Sequence, residues 1–232
     1  MSSELQARLA DGLDRVMELR RALAGDPQLA QHWLALKHWQ SQRLARTYPD
    51  LLASERYHDA AQFFLEEIYG AKDFEQRDAE TRRVVPKLAR MLPESAVETL
   101  VAAVELDELS ETLDSQMAGR LGLSITAESY ARAFRQVGTR AQRDAQVAAV
   151  EGIGRTLDKL SRVPLLRATL HLMRGPAAAM GLAHLHGFLE GGFDAFAKMK
   201  GAREFLATIA RRESALIARI YAAEADWLRP VD

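Results

Sequence analysis

The chain has 232 residues, of which 48% are hydrophobic and 27% are charged, as in an ordinary globular protein with a sizeable core. The 31 lysines and arginines nearly balance the 32 aspartates and glutamates, so no overall field attracts nucleic acid or an anionic membrane. Because cysteine is absent, disulfides, thiol nucleophiles and thiolate metal sites are excluded.

The N-terminal stretch MSSELQARLADGLDRVMELRRAL is charged throughout and lacks the apolar core of a signal peptide. No apolar run approaches the roughly 18 residues that span a bilayer. We therefore expect a cytoplasmic protein with no membrane partner.

Apolar residues recur at steps of three and four along nearly the whole chain, which predicts helices. A first helix ends at Gly25, and Asp26-Pro27 then begins a second one that runs towards Thr47. Ser54 can cap a third helix that runs to Tyr69.

Proline and glycine mark the later boundaries. Asp73 begins a capping box for the fourth helix, which Pro86 should bend or break. Pro93 begins the fifth helix, and Thr126 caps the next. Further breaks are expected at five glycines: Gly138, Gly152, Gly154, Gly175 and Gly201. Because no alternating β-branched run or hairpin turn occurs, residues 1–232 are predicted to form a single all-α domain, a bundle of about eight to ten helices.

The third helix combines an apolar face with ionisable side chains at its edge. His58 and Tyr69 could line a pocket, transfer a proton or bind a metal. Alternatively, His58 is a boundary residue and the Tyr69 ring packs while its hydroxyl reaches water. Glu55 and His58 have the Glu-x-x-His spacing that di-iron bundles use twice, but it occurs once here. An acidic residue in the first helical turn is also explained by the helix dipole.

Three further charged residues are candidates for a site. Arg77 could bind a ligand carboxylate or phosphate, or form an ion pair within the fold. Glu108 and Glu111 continue an apolar line of the fifth helix, so they either emerge into water or enter the interior. Buried carboxylates need partners, and the candidates are Arg77, Arg82, His58 or a metal.

Small residues form a ridge on a later helix, at Ala183, Gly187 and Gly191, beside His184. Interior glycine costs about 1 kcal/mol relative to alanine, so a close neighbour should compensate. That neighbour is another helix, within the fold or across a dimer interface, or a flat ligand bound near His184.

Basic residues also share one helical face, at Arg132, Arg135 and Arg143. Aromatic residues that could stack on bases do not interleave with them. We expect a solvated face and no nucleic-acid partner.

Several phrases resemble an uncharacterised family of bacterial helical proteins, namely FFLEEIYG, KDFEQRD and GFLEGGFDAFAKMKGAREFLATIARRE. ALKHWQSQRLARTYPDLL and LARMLPESAVETLVAAVELDELSETLD belong to the same pattern, so the resemblance covers most of the chain. It implies a bacterial origin and an all-α fold. It implies no activity, cofactor or catalytic residue.

Two functions stay open. The first is a self-associating helical scaffold, a homodimer whose glycine ridge and apolar faces serve packing and partner binding. The second is a small-molecule or metal-dependent enzyme with a heme-oxygenase-like or ferritin-like bundle. Its site would use His58, Tyr69, Arg77, Glu108 and Glu111, with the carboxylates and His58 holding a metal or moving protons. No particular cofactor is indicated.

Overall fold

A computed structural model describes residues 3–68, 75–89 and 94–231 of the chain. These residues form eleven α-helices and no strand, which confirms the predicted all-α fold and approximately the predicted number of helices. The helices, in chain order, are α1 Ser3–Ala24, α2 Pro27–Thr47, α3 Pro49–Ala53, α4 His58–Phe63, α5 Glu75–Ala89, α6 Glu94–Leu121, α7 Ala127–Gln136, α8 Arg140–Ser161, α9 Pro164–Ala179, α10 Ala183–Met199 and α11 Arg203–Tyr221. One π-helical turn, Phe64–Ile68, follows α4.

Among the described residues, N-cap side chains begin α2, α7 and α8. The carboxylate of Asp26 accepts a hydrogen bond of 3.0 Å from the backbone N–H of Leu29, and Pro27 follows it as the first residue of α2. Thr126 and Thr139 begin α7 and α8 with reciprocal capping boxes. Each cap satisfies a backbone donor that the first helical turn leaves open. The boundaries predicted at Asp26 and Thr126 are therefore confirmed.

Several predicted helix breaks are wrong. Of the five glycines expected to break the later helices, Gly138, with a φ of 80°, and Gly201 lie between helices as predicted. The predicted break at Pro86 is absent because α5 runs on to Ala89. The other three glycines lie inside helices, Gly152 and Gly154 in α8 and Gly175 in α9. The free-energy penalty of one glycine or one missing N–H is smaller than the stabilisation that the rest of the helix gains by packing.

Three groups of buried hydrophobic side chains form the core. The first joins α2, α6, α7 and α11 around Leu36 and Met117. The second joins α4, α10 and α11 around Phe196. The third joins α1, α5 and α6 around Leu9 and Val97. Since α6 contributes to both the first and the third group, it is the helix on which α1 and α2 pack.

An aromatic stack holds the C-terminal segment in place. The ring of Trp39 stacks on that of Tyr130 with centroids 4.1 Å apart, and Trp227 stacks on the same tyrosine at 5.8 Å. The indole N–H of Trp227 donates to the backbone carbonyl of Ala127 at 3.2 Å. The residues after α11 therefore lie beside the C-terminal half of α2.

Candidate functional site

His58 lies apart from the other described candidate site residues. The Nδ1 atom of His58 lies 2.6 Å from the carbonyl oxygen of Leu52, at the exposed start of the helix. Glu55 precedes α4 in a turn, so the helix that was predicted to contain both residues begins only at His58. Tyr69 and the side chain of Arg77 lie outside the described residues.

The two candidate carboxylates of α6 have different surroundings. Glu108 is partly exposed and pairs with Arg15 of α1 at 2.6 Å. Glu111 is buried, with Arg20 at 3.5 Å and Lys37 at 3.6 Å. Among the described side chains, neither carboxylate forms a hydrogen bond or ion pair with His58. The enzyme site predicted from these residues is therefore not assembled by the part of the chain that the structure describes.

Lys37 lies at the centre of a buried charged network between α1, α2 and α6. Its ammonium group is 2.6 Å from the Oδ2 atom of Asp114, and Gln40 donates to the other oxygen of that carboxylate at 3.0 Å. Arg20 donates to Asp107 at 2.9 Å, at the edge of the same network. Lys37, Gln40, Asp114 and Glu111 are all buried.

Burial and charge compete within this network. Burial raises the pKa of Glu111 above its ordinary value, although Lys37 and Arg20 lower it in part. For Lys37, burial alone would lower the pKa, but Asp114 and Glu111 outweigh burial and raise it. The lysine therefore stays charged at neutral pH, as a buried carboxylate pair requires.

Sequence reasoning missed Lys37 and Asp114, although α2 carries a signal for the lysine. The buried residues of α2 recur at helical spacing, at Trp33, Leu36, Lys37, Gln40 and Leu44. A lysine on such a line must either reach water or find a buried anion. The second outcome is the one observed, and it gives Glu111 a structural partner.

The predicted metal ligands are dispersed. No group of three or more histidine, aspartate or glutamate side chains within the described ranges is close enough to hold a metal ion. Glu55, His58, Glu108 and Glu111 occupy the separate environments given above.

His184, a candidate for cofactor binding, takes part in a helix cap. Its Nδ1 atom lies 2.9 Å from Glu80 of α5, and the other oxygen of Glu80 accepts the backbone N–H of Leu185 at 2.8 Å. Leu182, which precedes α10, supplies no side-chain cap of its own. Glu80 thus caps α10 from another helix, at the positive end of the helix dipole. Burial by itself would raise the pKa of Glu80. The hydrogen bonds from the N–H of Leu185 and from the imidazole of His184 outweigh burial and lower that pKa.

We expect Glu80→Gln to lower the free energy of unfolding by about 1 kcal/mol at pH 7, because the charged cap is lost. A carboxylate whose pKa is lowered by folding contributes stability above its unfolded pKa of about 4.3, and this contribution is lost as the pH falls through the folded value. The difference between the variant and the wild type should therefore shrink below about pH 4 in urea unfolding. A difference that stays constant with pH would contradict the charged cap.

The glycine ridge is open where a close neighbour was predicted. A methyl group at Gly187 would meet no atom within 4 Å, so the described residues place no helix against it. At Gly191 the added carbon would lie 3.6 Å from the ring of Phe63, and at Gly192 it would lie 3.1 Å from that ring. The close approach inside the fold is therefore made at Gly192, by α4.

Another predicted feature, the basic stripe, is only partly solvated. Arg143 is buried, lies 3.9 Å from the centroid of the Phe134 ring and donates to the carbonyl oxygen of Val137. Arg135 donates to the carbonyl oxygen of Ile220 at 3.0 Å. Two arginines of the stripe therefore serve the packing of α7, α8 and α11.

The charged side chains of α9 pair with carboxylates of α10 at the edge of the contact between the two helices. Arg167 donates to Asp194 of α10 at 2.9 Å, and Arg174 donates to both oxygens of Glu190 at 3.0 and 2.8 Å. His171 lies between them, 2.7 Å from Glu190. The hydrogen bonds from Arg174 hold the pKa of Glu190 below its ordinary value, against the opposing effect of burial. A polar seam therefore joins α9 to α10.

The opposite side of α9 is apolar and faces solvent. We call it the outer face; its members are Leu165, Ala168, Thr169, Leu172, Met173 and Pro176, and the hydroxyl of Thr169 donates to the backbone carbonyl oxygen of Leu165. Leu165 is 75% exposed and Leu172 is 78% exposed. At 100° per residue this face lies opposite the polar seam. A surface helix normally packs its large apolar side chains against the core, so Leu165 and Leu172 form an uncovered contact surface.

A family model for a domain of unknown function, DUF8198, matches residues 19–227. The chain belongs to this family. The match confirms the resemblance to an uncharacterised family, and α9 and the Lys37 network both lie within the matched residues. No curated protein and no solved structure matches the chain. Within the described part of the chain, every helix is too short or too polar to cross a lipid bilayer.

Proposed function

We propose that this protein is a self-associating helical scaffold, a homodimer in which the outer faces of two α9 helices pack together. The observation that carries the proposal is the exposure of Leu165 and Leu172 on α9, 75% and 78%, while the arginines of the same helix pair with carboxylates of α10. The cysteine-free composition and the resemblance to bacterial proteins support placing the scaffold in a bacterial cytoplasm.

The size of the outer face suits a helix-pairing interface. Helix α9 has 16 residues, which corresponds to a length of about 24 Å. Complete burial of an exposed leucine side chain contributes about 1.5–3 kcal/mol. A two-fold dimer buries Leu165 and Leu172 from both copies, because such an interface uses the same surface twice.

The charges of α9 favour a second copy over other partners. Arg167 and Arg174 are neutralised by Asp194 and Glu190 of the same chain, so the outer face itself carries no charge. A membrane-binding helix instead directs its basic residues towards anionic lipid headgroups. An uncharged apolar face is complementary to another such face, and its own copy supplies one.

We expect the double variant Leu165→Glu/Leu172→Glu to be monomeric, because two carboxylates per copy would have to enter an apolar contact. One chain has a mass of 25.8 kDa, so light scattering after gel filtration should give twice that, about 52 kDa, for the wild type and the single-chain mass for the variant.

The matched control is Leu123→Glu, which makes the same substitution at a leucine that is 63% exposed outside the outer face. It should remain dimeric. A wild type that is monomeric at about 100 μM, where even a weak dimer would be populated, would refute the proposal. So would a double variant that keeps the wild-type mass.

A further inference from the structure

A groove lies on another part of the surface, between the C-terminal half of α2, the start of α3, α11 and the segment after α11. It encloses about 430 Å³, a volume within the usual range for small-molecule sites. The apolar lining side chains are Trp39, Pro49, Leu216, Leu228, Pro230 and Val231. The polar and charged ones are Thr47, Arg43, Arg46, Asp50, Arg212 and Arg229.

Three of the four arginines already have carboxylate partners. Arg43 pairs with Glu213 at 2.5 Å, and Arg229 pairs with Glu224 at 2.6 Å. Arg212 donates to both oxygens of Asp50, at 2.7 and 2.9 Å. These pairs fix the positions of the guanidinium groups, since charge-assisted and bidentate contacts are the strongest of their kind. They also leave no net charge behind.

Arg46 is the fourth arginine of the groove. Its Nε atom donates to the backbone carbonyl oxygen of Gln42 at 3.2 Å, and no carboxylate among the described residues pairs with it. Arg46 is therefore the groove arginine whose charge no described carboxylate balances. One buried donor, the Nε atom of Arg43, also lacks a hydrogen-bond partner among the described residues.

The apolar lining is held rigidly. Trp39 is stacked on Tyr130, and Arg219 donates to the backbone carbonyl oxygen of Arg229 at 2.6 Å, which ties down the segment that forms one wall. A preformed apolar surface beside a guanidinium without a described carboxylate partner is complementary to an amphiphilic acid.

We propose that this groove binds a small monocarboxylic acid with an apolar body. The carboxylate lies against the guanidinium of Arg46, whose planar fork of donors matches its two oxygens. The apolar body lies on Trp39, Leu216 and Leu228. This site is distinct from the outer face of α9, so the inference does not depend on self-association.

The test uses 1-naphthoate as the probe and the uncharged 1-naphthamide, which has nearly the same shape, as the matched ligand. Binding to the full-length chain is measured by calorimetry and by quenching of tryptophan fluorescence. We expect 1-naphthoate to bind at least about tenfold more tightly than the amide, because only the acid balances Arg46. The variant Arg46→Gln should weaken binding of the acid by about the same factor and leave binding of the amide unchanged.

Arg132→Gln is the control, because it removes an exposed arginine from α7, outside the groove. It should bind 1-naphthoate as the wild type does. The proposal is overturned if 1-naphthoate fails to bind at about 1 mM, if acid and amide bind equally, or if Arg46→Gln has no effect. Thermal unfolding of both variants shows whether a loss of binding reflects a loss of folding instead.

Discussion

Replacing Lys37 with methionine is expected to lower the free energy of unfolding by about 3–5 kcal/mol, because it leaves Asp114 and Glu111 buried without their shared cation. The pKa of Lys37 is raised by folding, so its contribution is fully present below the unfolded value of about 10.4 and is lost as the pH rises through the folded value. Urea unfolding at pH 7 therefore measures the whole effect.

The same substitution at Lys198 provides the control. Lys198 pairs with Asp59 at 2.8 Å, but both side chains are nearly half exposed. An exposed ion pair of this kind contributes at most about 1 kcal/mol. If Lys37→Met and Lys198→Met lower the free energy of unfolding by the same amount, burial of the Lys37 network does not determine how much it stabilises the fold. A Lys37→Met cost below about 1 kcal/mol would show that the carboxylates become neutral or hydrated at little cost.

Two glycines of α8 are expected to respond to alanine in opposite directions. At Gly154, a methyl group would overlap the side chain of Leu206, which is buried on α11. At Gly152, two residues earlier on the same helix, it would meet no atom within 4 Å. Both substitutions gain the same helix propensity, about 1 kcal/mol. The contact with α11 therefore makes the difference between them.

We expect Gly154→Ala to be less stable than Gly152→Ala by about 1–3 kcal/mol, the usual cost of adding a methyl group to a packed core. Thermal unfolding of the two variants with the wild type measures this, and Gly152→Ala should be the most stable of the three. Equal stability of both variants would mean that Leu206 changes rotamer freely, and would contradict the tight packing of α8 on α11.

Local features of the sequence predicted the helix starts well and the interruptions poorly. The caps at Asp26 and Thr126 act over three residues, so their effect is visible in the sequence. Pro86 and Gly152 are unfavourable to a helix by a few kcal/mol at most. Packing of the whole helix outweighs that amount, and packing partners are distant in the chain.

The candidate site was predicted less well for the same reason. The apolar periodicity of α6 left open whether Glu111 is exposed or buried, and in the structure it is buried. The partner, Lys37, is 74 residues away on α2, and no pattern within α6 points to it. His184 illustrates the same limit, because its contact is Glu80 of α5 rather than a ligand.

Hydrophobic periodicity was sufficient to predict an all-α fold, since each helix follows from residues within a few turns of one another. The orientation of α9 required the tertiary structure. An amphipathic pattern shows that a helix has two unlike sides, but the side that turns inward depends on its neighbour. In this chain Glu190 and Asp194 of α10 bind the arginines of α9, and Leu165 and Leu172 are consequently left facing solvent.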